Sequence, residues 1–228
     1  MLPYPEDRRA SGEVFPPSSS NSLCMPADPD SLPSEFMAYI RDLERHYLMN
    51  EDPIKQSGFY GGAERWRRER GIVLDAVEED GDFLDAACAN GYLLECLVQW
   101  AREKGIALTP YGLDIGPRLV ALARKRLPAF ADHFWVGNSW TWHPPRRFRY
   151  VYTLHDCVPE SLLGEYARRL LSRCVADGGR LIIGAYVSKS EGKPARDLAP
   201  ALQESGLAVA GSASCGELPV TQVAWVNR

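Results

Sequence analysis

Several features are missing from this 228-residue chain, and each absence narrows its class. No apolar run approaches the roughly 20 residues a bilayer-spanning helix requires, so no membrane anchor is expected. The six cysteines, Cys24, Cys88, Cys96, Cys157, Cys174 and Cys215, include no C-x-x-C pair. With no secretory leader to read at the N-terminus, reduced thiols and a cytoplasmic location are the expectation. The four histidines, His46, His133, His143 and His155, have no ligand spacing, which argues against a metal site. A surplus of positive charge is lacking too, for the formal net charge is −4. General attraction to nucleic acid or anionic lipid is therefore not expected, although the clusters Arg65, Arg67, Arg68, Arg70 and Arg146, Arg147, Arg149 leave local anion contacts open.

What is present is a globular composition, 45% hydrophobic and 25% charged, with an uneven start. Residues 1–32 hold six of the 17 prolines and the polar run Ser18 to Ser22, a composition that reads as a disordered tail. From Pro33, the spacing of Phe36, Ile40, Leu43 and Tyr47 predicts an amphipathic helix, with Ser34 as N-cap and Asp52-Pro53 as a stop. A glycine-rich turn, Gly58 to Gly62, then leads to a second helix over about Ala63 to Glu78. Residues 33–80 form a helical cap on this reading.

Residues 81–228 alternate strand-like and helix-like segments, the pattern of a parallel sheet with helices on both faces. Strands are expected at Phe83 to Ala86, Thr109 to Leu113, His133 to Val136, Arg149 to Leu154 and Arg180 to Tyr186. Helices are expected at Tyr92 to Lys104, Pro117 to Arg126, Glu160 to Val175 and Ala195 to Ser205. Two last strands, Leu207 to Ser212 and Thr221 to Val226, are joined by so short a loop that they must pair antiparallel. The fold class is α/β, a doubly wound, mostly parallel seven-stranded sheet that closes in a hairpin.

Within this frame, Phe83-Leu84-Asp85-Ala86-Ala87-Cys88-Ala89-Asn90-Gly91 resembles motif I of the class I, Rossmann-like S-adenosylmethionine-dependent methyltransferases. Alanine stands at 87 and 89 where that family usually has glycine, and an alanine forced to positive φ would carry strain of order 1 kcal/mol. Tyr111-Gly112-Leu113-Asp114-Ile115-Gly116-Pro117 resembles the second motif, with its acid 29 residues after Asp85. Val136-Gly137-Asn138-Ser139 resembles the third, with asparagine in place of the usual acid. Phe148 to Pro159 and Ala176 to Ile183 resemble the fourth strand with its exit loop and the glycine turn with the fifth strand.

The resemblance implies S-adenosyl-L-methionine as cofactor. Asp85 would hold its ammonium, with Ala87, Cys88 and Gly91 letting the backbone approach. The N–H groups of the helix after Gly91 would meet its carboxylate. Asp114 and Ile115 would take the ribose, and Asn138 and Ser139 the adenine. Leu154 and Tyr60 would border the pocket. Bland alternatives stand beside each: Asp114 as a helix cap, Gly137-Asn138 as a plain turn, and the aromatic groups Phe59, Tyr60, Trp66 and Trp140, Trp142 as packing.

Methyl transfer is an in-line displacement, so alignment matters most and a fixed base is optional. His155 and Asp156, at the carboxyl edge of the fourth strand, are the candidates for base or substrate contact, with Tyr186 a further one. There is no Asn-Pro-Pro-Tyr motif and no Pro-Cys dipeptide of base-modifying relatives. A small-molecule methyl acceptor is the expected substrate, with a protein or RNA methyltransferase, or a non-catalytic cofactor-binding protein, as alternatives. Oligomeric state is left open.

Overall fold

The computed structural model describes residues 31–187, 192–216 and 219–228. The tail expected over residues 1–32 lies outside it except for its end, where Leu32 is buried in the core. The first helix, α1, runs Ser34–Tyr47. Pro33 occupies the N-cap position and no side chain caps the helix there, so Ser34 is the first helical residue rather than the cap. The second expected helix is shorter than its pattern: α2 spans Gly62–Arg70 and tightens into a 3-10 segment, Gly71–Ala76. That tightening still buries Val73, Leu74 and Ala76.

Seven strands follow: β1 Gly81–Asp85, β2 Leu108–Asp114, β3 Phe134–Val136, β4 Phe148–Leu154, β5 Val175–Tyr186, β6 Val209–Cys215 and β7 Thr221–Asn227. The helices between them are α3 Tyr92–Glu103, α4 Pro117–Arg126, α5 Leu163–Arg173 and α6 Leu198–Glu204. All form one sheet in the order β3-β2-β1-β4-β5-β7-β6. The first five strands are parallel, and β7 inserts antiparallel between β5 and β6, so the expected hairpin closes the sheet.

Strand periodicity sorts the core into two layers. Leu84, Val151, Leu181 and Ile183 face the side covered by α5 and α6. Phe83, Tyr150, Tyr152 and Ile182 face the side covered by α3 and by Trp66, Val73 and Leu74. Both faces are buried, which is why the central strands read as continuous apolar runs rather than alternating ones.

The segment before β1 is therefore not one cap. The α2 region is part of the α3-side core, whereas α1 forms a third cluster, Leu43 and Tyr47 against Ala89 and Leu119, at the carboxyl edge of the sheet. Chain order reverses between β1 and β4, and a crevice at such a point is where ligands of open α/β sheets collect.

Candidate active site

The loop leaving β1 is pinned on both sides. Ala86 N–H donates to the Tyr152 carbonyl at 2.8 Å and Cys88 N–H to the Leu113 carbonyl at 3.0 Å. Ala89 adopts a φ of 44°, the positive value that the alanine-for-glycine departure put in question. Gly91 has a φ of 73° and faces Ala123, so its role is to let α3 approach α4. It lines neither of the cavities that follow.

Asp114, at the end of β2, ties two loops together. One carboxylate oxygen accepts the Ala89 N–H and the other accepts the Gly116 N–H, each at 2.8 Å. Each oxygen keeps a second lone pair for a ligand. Burial pushes the Asp114 carboxyl above its usual range, while these two N–H groups pull the other way.

Above this floor opens a cleft of about 710 Å³ including its mouth. Ala86, Ala87 and Ala89 from the first loop, Asp114 to Gly116, and Gly137 to Ser139 line one side. Leu154, Asp156 and Cys157 line the end of β4. Ile40, Leu43, Glu44 and Tyr47 of α1 roof it. The roof is latched to the floor: Asn138 Nδ2 donates to Met37 Sδ at 3.4 Å, and Glu44 accepts the Arg118 N–H at 2.8 Å. Tyr47 is buried, and its hydroxyl has no hydrogen-bond partner among the described residues. Burial, then the carboxylates of Asp156 and Asp114, hold that phenol well above its usual range, so it stays protonated.

A second cavity of about 370 Å³ adjoins the first, sharing Ala87, Ala89 and Leu154. Its other walls are Ser57, Trp66, Arg70, Asp85, Cys88, Leu93, Tyr152 and Tyr186. Burial and the nearby Asp114 carboxylate raise the Asp85 carboxyl to about 7. Burial also raises the Cys88 thiol, which makes it a wall rather than a nucleophile.

Of the residues singled out in the sequence, Ala87, Asp114, Ile115, Asn138, Ser139, Leu154 and Asp156 meet in the first cleft, and Asp85 and Cys88 in the second. Three do not follow expectation. Tyr60 is 57% exposed and lines neither cavity, while its neighbour Phe59 takes the buried place against Trp66. His155 belongs to the short 3-10 turn after β4, faces Asp156, Arg196 and Glu160, and also lines neither. Burial lowers its pKa.

The third departure is the start of α3. Asn90 is fully buried and its side-chain oxygen accepts the Tyr92 N–H at 3.1 Å, so one of the N–H groups expected to meet a ligand carboxylate is already engaged within the protein. Trp140 and Trp142 pack on Tyr166 and Trp135, as the packing alternative had it. Tyr47, Glu44 and Arg70 are lining residues that the sequence reading missed as such.

Sheet order, loop construction and edge cleft together define the fold of the class I S-adenosylmethionine-dependent methyltransferases. Solved structures agree. An N-methyltransferase, NodS, from Bradyrhizobium japonicum in complex with S-adenosylhomocysteine aligns at a TM-score of 0.61 and 15% identity, covering 83% of this chain and 97% of that one. A methyltransferase from Clostridium acetobutylicum aligns at 0.55 and 11% identity, over 80% and 98%. The mitomycin 7-O-methyltransferase MmcR aligns at 0.55 and 19% identity, over 82% and 60%. No protein-family model and no curated protein matches the chain.

Proposed function

We propose that the chain is a methyltransferase that uses S-adenosyl-L-methionine and a small-molecule acceptor. The carrying observation is the cleft at the β1/β4 reversal, with Asp114 on its floor and α1 as its roof. The residues present fit the cofactor: unused lone pairs on Asp114 suit ribose hydroxyls, and the amide of Asn138 with the hydroxyl of Ser139 suits an adenine edge. Asp85 suits an ammonium, which would return its carboxyl toward the ionised form. An NAD site, by contrast, would need glycine for close pyrophosphate approach where Ala87 and Ala89 stand.

The bound cofactor would supply an electrophilic methyl group. The chain's own part is alignment and exclusion of water: α1 covers the cleft with Ile40 and Leu43, and Asp156 stands beside Leu154 where an acceptor would enter. In this reading Asp156 orients the acceptor or takes its proton, and His155 positions the turn that carries Asp156. NodS and MmcR, an N- and an O-methyltransferase, give precedent for the reaction on this fold without choosing the acceptor atom.

The test is thermal denaturation with added nucleotides. S-Adenosylhomocysteine at about 100 times its dissociation constant would stabilise the fold by about 2.7 kcal/mol. For a domain this size that raises Tm by about 5–10 °C. No shift with S-adenosylmethionine or S-adenosylhomocysteine at millimolar concentration, beside a clear shift with NAD, would overturn the proposal.

A further inference from the structure

The first cleft is one-sided in charge. Its ionisable walls include the carboxylates of Glu44, Asp114 and Asp156, and no lysine, arginine or histidine lines it among the described residues. Two of the three are already met by donors. Arg118 gives Glu44 its backbone N–H at 2.8 Å and its side-chain Nε at 3.4 Å, and Asp114 accepts the Ala89 and Gly116 N–H groups. Asp156 is different, for it is half-buried and makes no hydrogen bond or ion pair among the described residues. The basic groups around it do not fill that place. Arg196 is paired with Glu160 at 3.0 Å, and burial lowers the pKa of His155, which keeps that ring neutral at pH 7. Tyr47, which lines the same cleft, is buried with a hydroxyl that has no hydrogen-bond partner among the described residues.

Where Asp156 stands relative to the chemistry follows from the connectivity of the cofactor, so the inference rests on the methyltransferase reading. With the ribose at Asp114 in the first cavity and the ammonium at Asp85 in the second, the sulfonium between them falls at the wall the two cavities share, Ala87, Ala89 and Leu154. Asp156 follows Leu154 by two residues and lines only the first cavity, so it borders that junction.

We infer that the methyl acceptor is a small amine, bound in its ammonium form with Asp156 as counter-ion. In the transfer, an N–H proton passes to the Asp156 carboxylate and the freed nitrogen lone pair forms the new N–C bond to the methyl carbon. The electron pair of the breaking C–S bond stays on sulfur. The product leaves as a methylammonium ion and the proton on Asp156 goes to solvent, so atoms and charge balance. Positive charge develops on nitrogen along this path, where a preorganised carboxylate stabilises it. An oxygen acceptor is most reactive as its anion, which three carboxylates in one cleft repel. An acidic acceptor would lack a cation to meet it among the described walls.

Calorimetry on the full chain tests this with three nucleosides that differ where the methyl group is transferred. They are S-adenosylhomocysteine, sinefungin, in which a carbon-borne amine replaces the S-methyl group, and the analogue of sinefungin with a hydroxyl in place of that amine. Wild type should bind sinefungin about 10–100-fold more tightly than S-adenosylhomocysteine, the range for a hydrogen bond between charged groups. It should also prefer the amine to the hydroxyl analogue by about tenfold. Asp156→Asn should bring sinefungin within about threefold of S-adenosylhomocysteine, and should leave S-adenosylhomocysteine itself within about threefold of its wild-type affinity. Equal losses for the two ligands would put Asp156 on the cofactor's own ammonium and overturn the inference. A preference for sinefungin that survives in Asp156→Asn overturns it too. So does a wild type that binds sinefungin no better than S-adenosylhomocysteine, or no better than the hydroxyl analogue, and these two comparisons decide even if the variant fails to fold. Absence of binding by all three nucleosides would instead sink the methyltransferase reading.

Discussion

Replacing Asp114 by alanine should weaken the protein in two measurable ways. Its carboxylate accepts the Ala89 and Gly116 N–H groups at 2.8 Å, so the substitution leaves two buried backbone donors without their partner. Each such loss is worth about 1–3 kcal/mol. Removing a buried carboxylate whose pKa burial has raised gives part of this back. The net expectation is about 2 kcal/mol of stability, or a Tm lower by about 4–8 °C for a domain of this size. If the remaining lone pairs take the ribose, affinity for S-adenosylhomocysteine falls as well, by about 1.5–3 kcal/mol or roughly 10–150-fold. Chemical denaturation reads the first number and calorimetry the second, at a temperature where the variant is folded. Asp114→Asn, which keeps one acceptor oxygen, should lose less stability than Asp114→Ala. A variant with the wild-type midpoint and the wild-type dissociation constant would refute both the bridging role and the placement of the ribose.

Two further outcomes concern the first loop. A Cβ on Gly91 would stand 2.8 Å from the Ala123 Cβ at a φ of 73°, so Gly91→Ala adds overpacking of about 1–3 kcal/mol to left-handed strain of about 1–2 kcal/mol. Gly105→Ala, at a φ of 80° in open space, should show the strain alone; equal Tm losses for the two would mean that the α3–α4 approach is not tight. Asp85 makes the second outcome one of pH. Its carboxyl is raised to about 7 by burial and by Asp114, with Tyr152, Tyr186, Arg70 and Cys88 in the same cavity. A ligand ammonium prefers the carboxylate form, so affinity for S-adenosylhomocysteine is full above pH 7 and falls as pH drops through it. In the free protein the sign reverses: the folded state holds this proton more tightly than the unfolded chain, so this group's contribution to stability declines as pH rises toward 7. Affinity that is flat from pH 5.5 to 8 would remove Asp85 from the ammonium site.

The parts of this protein legible in its sequence are those fixed by local pattern. Central strands buried on both faces read as apolar runs, and Pro117 marks the start of α4 without tertiary help. Asp85, Asp114 and Asn138 were legible because a strand end followed by a tight loop leaves few alternatives for where such side chains project. What the sequence concealed was set by packing over long separations. Tyr47 reads as the last apolar position of an amphipathic helix, and nothing local says that it lines a cleft with Asp114 and Asp156. Arg70 is hidden in a basic cluster whose other members form surface contacts such as Arg67 with Glu103. Tyr60 was misplaced because an aromatic flanked by glycines suggests a moving lid, whereas it is the neighbouring Phe59 that is buried, stacked edge-on against Trp66 at 5.3 Å.

The roof over the cleft therefore belongs to α1, and Tyr47 gives it a test with two signs. Its hydroxyl is buried without a hydrogen-bond partner among the described residues, an arrangement that lowers stability by about 1–3 kcal/mol relative to a satisfied or absent group. Tyr47→Phe removes the hydroxyl and keeps the ring against Leu43, Ala89 and Leu119, so the ligand-free protein should become more stable by about 1 kcal/mol, or about 2–4 °C in Tm. If the hydroxyl is there to meet a bound nucleoside, the same variant should bind S-adenosylhomocysteine about 2–10-fold more weakly, the value of one neutral hydrogen bond. Gain in one measurement and loss in the other is a pattern that a packing role cannot produce. Hydrogen exchange supplies the complementary view: Met37, Glu44 and Tyr47 tie α1 to the loops after β3 and β2, so ligand should slow exchange across Ser34–Tyr47. The turn around Tyr60 should change little. Unaltered affinity in Tyr47→Phe, together with exchange in α1 that ignores S-adenosylhomocysteine, would show that this helix packs beside the cleft without closing it.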